Sequence, residues 1–187
     1  MPYIIAEAYD PRVNSSDVLA DGYGRIQQML HRTLDGLTPD QLIYRPSENA
    51  NSIAWLVWHL TRIQDHHLSA LAGREQAWTA DGWHARFGKP ADDQDTGQRY
   101  TPEQVAAIRP ESVQLLLDYH EAVYQRSLEY VRGLKDEDLD RVLNEPQWNP
   151  MPTVGVRLVS VINDNTQHAG QAAYLRGLIE DKRWFPA

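Results

Sequence analysis

Four long segments with a helical spacing of apolar residues constrain the fold of this chain more than any other feature. They cover about residues 16–34, 51–72, 110–134 and 153–179. In each segment apolar residues recur every three or four positions, as on the buried face of an amphipathic helix. No stretch alternates apolar and polar residues as a half-buried strand would. The pattern predicts an all-α fold, a four-helix bundle in which at least one connection crosses the bundle.

The connection between the second and third long segments is the longest. Residues 74–101 are rich in Gly, Asp and Trp, and loops of this length are usually functional or mobile. Its aromatic side chains either fold over the mouth of a cavity or cover the open end of the bundle; they are Trp78, Trp83, His84 and Phe87. A length of 187 residues fits one domain, so we expect residues 1–187 to form a single helical bundle domain.

The charge and the absence of cysteine exclude several functions. The formal net charge is −8 at pH 7, whereas a general nucleic-acid binder needs a basic surface. No apolar run approaches the ~20 residues that span a bilayer, and the N-terminus lacks the pattern of a secretory signal. We therefore expect a cytoplasmic protein without nucleic-acid or membrane partners. Because the chain has no cysteine, a metal would need His and carboxylate ligands, and thiol chemistry would need a thiol from a substrate.

Asp164 and His168 lie four residues apart in the fourth long segment, which places their side chains one turn apart on one helix face. That face is apolar, because Val161, Leu175 and Ile179 share it. A hydrogen-bonded Asp–His pair inside the bundle would explain the two residues without a metal. A metal site would explain them as well, provided that another helix supplies a further ligand.

The second long segment offers histidines for that role. His59 lies at the edge of its apolar stripe, and His66 follows two turns later on nearly the same side. His67 points more directly at the predicted core, whereas Asp65 points away from it. His120 in the third segment is a further candidate.

A histidine of the second segment, together with Asp164 and His168, gives two imidazoles and one carboxylate. Three protein ligands and one open position are the arrangement of a catalytic Zn²⁺ site. The same donor set suits Ni, Fe or Co. Burial of an unpaired carboxylate without a metal would be costly, so the spacing favours a divalent metal.

Two stretches carry a resemblance to a known family. SIAWLVWHLTRIQDHHLSALAG, from residue 52, and LVSVINDNTQHAGQAAYLRGL, from residue 158, resemble the DinB-like (YfiT-like) superfamily. The chain is most similar to the actinobacterial branch that includes mycothiol-dependent enzymes, and REQAWTADGWHARFG and DTGQRYTPEQVAAIR are similar to that branch too. The resemblance extends over about residues 16–180 and lies in the order and spacing of these motifs.

The resemblance implies an up-down-down-up bundle with a divalent metal held by His59, Asp164 and His168. Many members have histidine where this chain has Asp164. Zn²⁺ is the expected metal, with Ni, Fe and Co as alternatives. Activities known in the family are mostly transfers or isomerisations that use a low-molecular-weight thiol such as mycothiol. The expected function is therefore a metal-dependent transferase in which such a thiol attacks a small electrophile.

Further residues are candidates for roles in this function. His66 is a candidate for proton transfer, with substrate binding or a structural role as alternatives. Arg157 and Gln171 are candidates for contacting the sugar or carboxylate of the thiol, and Trp83 for binding substrate at the cavity mouth. A homodimer is expected, because related proteins often pair through helices. Two other functions stay open, a metal-dependent hydrolase that activates water and a non-catalytic ligand-binding bundle.

Overall fold

The computed structural model describes residues 13–183, which fold into α-helices and one short 3₁₀ helix. In chain order these are α1 (Ser15–Leu34), α2 (Pro39–Ile43), α3 (Ile53–Ala72), α4 (Ala77–Ala80), α5 (Trp83–Arg86), α6 (Pro102–Ala106), α7 (Val113–Arg132), the 3₁₀ helix (Asp136–Asp140) and α8 (Val154–Ile179). The long helices α1, α3, α7 and α8 form the bundle, so the predicted all-α fold is confirmed.

Side-chain caps fix where the long helices begin. Asn14, Ser52, Ser112 and Thr153 each accept a hydrogen bond from the backbone N–H three residues further on. The sequence predicts the start of α7 at Pro110, but the helix begins only after Ser112, whose hydroxyl satisfies a free N–H group of the first turn.

Two contacts along their length show that α1 and α8 run parallel. The hydroxyl of Tyr23 donates to the carbonyl oxygen of Leu158 in the first half of α8. Near the end of α8, Arg176 donates to the carbonyl oxygen of Thr33 in the last turn of α1. α3 and α7 also run parallel, because Arg62 donates to Tyr119 and, further along both helices, Gln64 donates to Ser127.

α3 and α8 run antiparallel. Leu56 near the start of α3 and Leu175 near the end of α8 line one cavity, whereas Gln64 further along α3 pairs with Asn165 earlier in α8. Each of α1 and α3 packs against both α7 and α8. This is the up-down-down-up bundle. In the groove between α3 and α8, side chains that are distant in sequence lie close together. In the part of the chain that the structure describes, every helix is too short or too polar to span a bilayer.

Three aromatic side chains of the long connection pack against the bundle. Trp78, Trp83 and Phe87 surround Tyr119 of α7, with ring centroids 5.3–5.8 Å apart. Both tryptophans are buried, and the guanidinium of Arg86 stacks on Trp83. Little of Trp83 is therefore open to a ligand, and its predicted contact with substrate stays a prediction.

Candidate metal centre

His59, Asp164 and His168 come together in the groove between α3 and α8. One nitrogen or oxygen atom of each lies within 4.8 Å of the other two, and among residues 13–183 no other His, Asp or Glu group has this arrangement. The Nε2 atom of His168 lies 3.6 Å from a carboxylate oxygen of Asp164. The His59 and His168 rings are 5.0 Å apart and nearly perpendicular. We call these three residues the ligand cluster.

The ligand cluster lies at the edge of the buried face of α8, not at its centre. Asn165 is fully buried and donates to Gln64, whereas the side chains of Asp164 and His168 are half-buried. The predicted core-facing position of the pair is therefore displaced by about one residue around the helix. This displacement leaves the cluster open to the groove and accessible to a small molecule.

Hydrogen bonds fix which nitrogen of each imidazole faces the cluster. The Nδ1 atom of His59 lies 2.5 Å from the carbonyl oxygen of Thr96. Since a carbonyl oxygen only accepts, Nδ1 carries the proton and Nε2 keeps its lone pair. In the same way Nδ1 of His168 donates to the Oε1 atom of Gln171, at 2.8 Å. Metal-binding histidines usually have such a partner for the second nitrogen.

The donor set fits a divalent cation. The Oδ2 atom of Asp164 is buried, and no hydrogen-bond donor reaches it in the described structure. A buried carboxylate oxygen without a partner is costly, and a cation would remove that cost. Burial also lowers the pKa of His59, which keeps its imidazole neutral and able to coordinate.

Trp55 covers one side of the ligand cluster. Its indole stacks on the His59 ring at 4.6 Å and 10°, and meets the edge of the His168 ring at 6.0 Å. Trp55 lies one turn before His59 on α3, so helical spacing places the two rings together. The indole fixes both imidazoles and keeps water from one face of His59.

Gly97 brings the long connection close to α3. Its φ is +83°, in the left-handed region that favours glycine. A Cβ atom at this position would lie 2.6 Å from a ring carbon of Trp58, closer than side chains tolerate. Gly97 therefore lets the backbone approach until the carbonyl of Thr96 reaches His59. The sequence gives no sign of this contact, because Thr96 follows His59 by 37 residues.

Asp65 is buried, and its predicted outward orientation is wrong. Its carboxylate accepts hydrogen bonds from the backbone N–H groups of Ala77 at 2.9 Å and Trp78 at 2.8 Å. The hydroxyl of Tyr119 and the guanidinium of Arg62 reach the same carboxylate from the core. The prediction failed because the connection after α3 covers a side of the helix that would otherwise be exposed.

Arg62 anchors the far part of the same connection. Its side chain is fully buried and donates to the carbonyl oxygens of Asp95 at 3.0 Å and Asp93 at 3.2 Å. Asp95 immediately precedes Thr96, so the Arg62–Asp65 pair holds the connection where Thr96 meets His59. These two residues are outside the ligand cluster but fix its surroundings.

The other candidate histidines do not join the ligand cluster. His66 contacts the carbonyl oxygen of Asp93 and the amide of Gln76, on the side of α3 covered by the connection. Burial lowers the pKa of His67 to about 3, with a smaller contribution from Arg157. Burial lowers the pKa of His120, at the contact between α1 and α7, to about 4.

Two cavities lie along α8, one on each side of the ligand cluster. The first measures about 540 Å³ and lies toward the end of α8, and we call it the amide-lined cavity. Its walls include Asn49, Asn51, Leu56, Gln171 and Tyr174. The second measures about 480 Å³ and lies at the start of α8; we call it the apolar cavity, and its walls include Trp148, Met151, Pro152, Val156, Arg157 and Ser160.

Gln171 and Arg157, both expected to contact the thiol, are thus separated by the ligand cluster. Gln171 holds His168 and lines the amide-lined cavity. Arg157 lines the apolar cavity, where its guanidinium forms an ion pair with Glu145. One extended ligand would have to pass the cluster to reach both residues.

Comparisons with known proteins find a matching family model and similar solved structures. A family model described as mycothiol-S-transferase matches residues 24–181. The crystal structure of a conserved protein from Enterococcus faecalis is similar, with 31% sequence identity and a TM-score of 0.84. The match covers 91% of this chain and 100% of that protein. None of the curated proteins compared with the chain matches it significantly.

Proposed function

The chain belongs to the mycothiol-S-transferase family, a DinB-like family, and from this we propose that it joins a small thiol to an electrophile beside a divalent metal held by His59, Asp164 and His168. The family description supports thiol transfer as the class of reaction. One observation carries the metal part of the proposal. A ligand atom from each of the three side chains lies within 4.8 Å of the other two, and one oxygen of the Asp164 carboxylate is buried without a hydrogen-bond donor.

Zn²⁺ is the proposed metal, because two imidazoles and a carboxylate with an open position match its catalytic sites. Ni, Fe and Co accept the same donor set and are the alternatives. A divalent metal supplies positive charge that favours the ionised form of a thiol near neutral pH. The protein's own contribution is orientation: Thr96 and Gln171 direct the two imidazoles, and Trp55 packs against both.

The thiol must come from a co-substrate, because the chain has no cysteine. The amide-lined cavity is the proposed site for its polar part, since Asn49, Asn51 and Gln171 offer both donors and acceptors. In the reaction a bond forms between the thiol sulfur and an electrophilic carbon. The leaving group departs with its bonding electrons, and the thiol proton passes to solvent.

For His66, the contacts with Asp93 and Gln76 support a role in holding the long connection. Proton transfer by His66 is the competing proposal. His66→Gln keeps hydrogen-bonding capacity toward the connection but cannot exchange a proton near neutral pH. If His66 transfers a proton, this variant should lose about 100-fold in kcat, and the pH profile of kcat should change. A structural role requires kcat and the profile to stay close to those of the wild type.

The proposed function is tested with mycothiol as the thiol and 1-chloro-2,4-dinitrobenzene as the electrophile, in chelator-free Zn²⁺ buffer. We expect thioether formation by the wild type and a loss of about 100-fold or more in His168→Ala. His31→Ala is the control, because His31 is an exposed histidine outside the ligand cluster. Elemental analysis should find Zn in the wild type and in His31→Ala but not in His168→Ala.

Two outcomes would contradict the proposal. Metal-dependent hydrolysis of an ester substrate without any thiol, with no thioether formed, would assign the site to water activation. If the wild type binds no metal after incubation with Zn²⁺, Ni²⁺ or Co²⁺, the result would instead favour a non-catalytic ligand-binding bundle.

A further inference from the structure

Exposed apolar side chains surround the apolar cavity at the start of α8. Trp148 is 57% exposed, Met151 43% and Val156 57%. All three line the same cavity of about 480 Å³, which lies in the size range of small-molecule sites. Single exposed apolar residues are ordinary, but a group that lines one concavity is typical of a ligand site.

The apolar cavity and the ligand cluster share one side of α8. Ser160 lines the cavity and lies four residues before Asp164, which itself lies four residues before His168. This spacing places the three side chains in a row, one helical turn apart. Arg157, a further turn back, is close enough to His67 of α3 to lower the pKa of its imidazole. The cavity therefore lies on the same side of α8 as the ligand cluster, about one helical turn before it.

The chemistry of the apolar cavity differs from that of the amide-lined cavity. Arg157 is the charged side chain in its wall, and Glu145 neutralises it in an ion pair. The remaining contact surface comes mainly from an indole, a thioether and aliphatic groups. Such a surface favours an uncharged aromatic or alkyl group and does not compensate the lost hydration of a polar one.

We propose that the apolar cavity binds the electrophile, an uncharged compound with an aromatic or alkyl body, while the thiol occupies the amide-lined cavity. This inference rests on the proposed function. The ligand cluster lies between the two cavities, so sulfur and electrophilic carbon would approach each other from opposite ends of the groove. Trp148, Met151 and Val156, which line this cavity, then determine which electrophiles the protein accepts.

Val156→Glu tests the inference, with Val159→Glu as a matched control. Both valines are on α8 and almost equally exposed, at 57% and 59%, but only Val156 lines the cavity. Val156 is the third residue of α8 after the Thr153 cap, a position where glutamate completes a capping box. The variant should therefore fold.

The probe is 1,3-dinitrobenzene, a non-reacting analogue of the electrophile that quenches tryptophan fluorescence. We expect saturable quenching of the wild type, binding weakened by about tenfold or more in Val156→Glu, and no change in Val159→Glu. In the transferase assay, Val156→Glu should raise the KM for 1-chloro-2,4-dinitrobenzene to a similar extent and leave the KM for mycothiol unchanged. Equal dissociation constants in wild type and Val156→Glu would overturn the inference.

Binding and turnover separate this inference from the proposed function. His168→Ala should lose turnover but still bind 1,3-dinitrobenzene like the wild type, because His168 does not line the apolar cavity. If His168→Ala loses turnover and Val156→Glu changes neither binding nor KM, the proposed function stands and the inference fails. If the wild type binds the probe but forms no thioether with mycothiol, the role as electrophile site is overturned.

A second copy of the chain is the competing occupant of these apolar residues. Light scattering measures the molar mass of the wild type and of Val156→Glu. Conversion of a dimer into a monomer by Val156→Glu, with unchanged binding of 1,3-dinitrobenzene, would assign the residues to a dimer interface and overturn the inference.

Discussion

The Nδ1 atom of His59 lies 2.5 Å from the carbonyl oxygen of Thr96, a residue of the connection between α3 and α7. This contact orients the His59 imidazole and joins the ligand cluster to a segment distant in sequence. Substitutions that displace the connection should therefore change metal affinity, although they touch no ligand.

Gly97→Ala should weaken metal binding by about 10- to 100-fold. The added Cβ meets the Trp58 ring, which pushes the backbone and the Thr96 carbonyl away from His59. Gly88→Ala is the control, because Gly88 also has a positive φ but has open space around it. Competition with a fluorescent zinc chelator gives the affinities. Equal losses in both variants would mean that backbone strain alone, and not the position of Thr96, causes the effect.

Asp65→Asn should lower the free energy of unfolding by about 3–5 kcal/mol, because it leaves Arg62 as a buried cation without its carboxylate. Asp21→Asn is the control, since the ion pair of Asp21 with Arg25 is exposed and such pairs contribute about 0–1 kcal/mol. Urea unfolding monitored by circular dichroism measures the free energy of unfolding of both variants. A cost below about 1 kcal/mol for Asp65→Asn would show that the buried network is not needed for stability.

Metal binding should stabilise the fold. Zn²⁺ at about 100 times its dissociation constant should raise the free energy of unfolding by about 2.7 kcal/mol. Asp164→Ala should remove most of this increase, whereas Asp118→Ala should keep it, because Asp118 is on α7 and outside the ligand cluster. Thermal unfolding with and without a chelator shows the difference. If neither Zn²⁺ nor the chelator changes the Tm of the wild type, the proposed metal site is contradicted.

Acidification should destabilise the protein through His120. Its pKa is lowered by burial from an ordinary 6.5 to about 4 in the folded state. His120 contributes its full stabilisation above the unfolded pKa of about 6.5. This stabilisation is lost as the pH falls toward 4, because in that range the unfolded chain takes up a proton on His120 and the folded protein does not. We expect a loss of about 2 kcal/mol between pH 7 and pH 5 from this residue.

His120→Leu should abolish this part of the pH dependence while His84→Gln keeps it, because His84 lies outside the contact between α1 and α7. Urea unfolding at pH 7 and pH 5 gives the comparison. Burial also lowers the pKa of His67, so some acid sensitivity should remain in His120→Leu. Identical pH dependence in wild type and His120→Leu would show that His120 does not titrate in this range.

The sequence predicted most of the fold because helix formation is local. Apolar spacing located the four long helices, and the serine and threonine caps explain where three of them begin. The same local rule placed Asp164 and His168 one turn apart. The family resemblance then paired them with His59, and the structure brings the three together. Their role as metal ligands stays a prediction until it is measured.

What only the tertiary structure decided depends on contacts between distant segments. The antiparallel register of α3 and α8 brings His59 to Asp164, and the long connection buries Asp65 and delivers Thr96 to His59. The segments before α3 and before α8 supply the other walls of the cavities that Gln171 and Arg157 line. Helical periodicity determines which side of its own helix a side chain occupies. It carries no information about which other segment covers that side, because this depends on how the whole bundle buries its apolar surface.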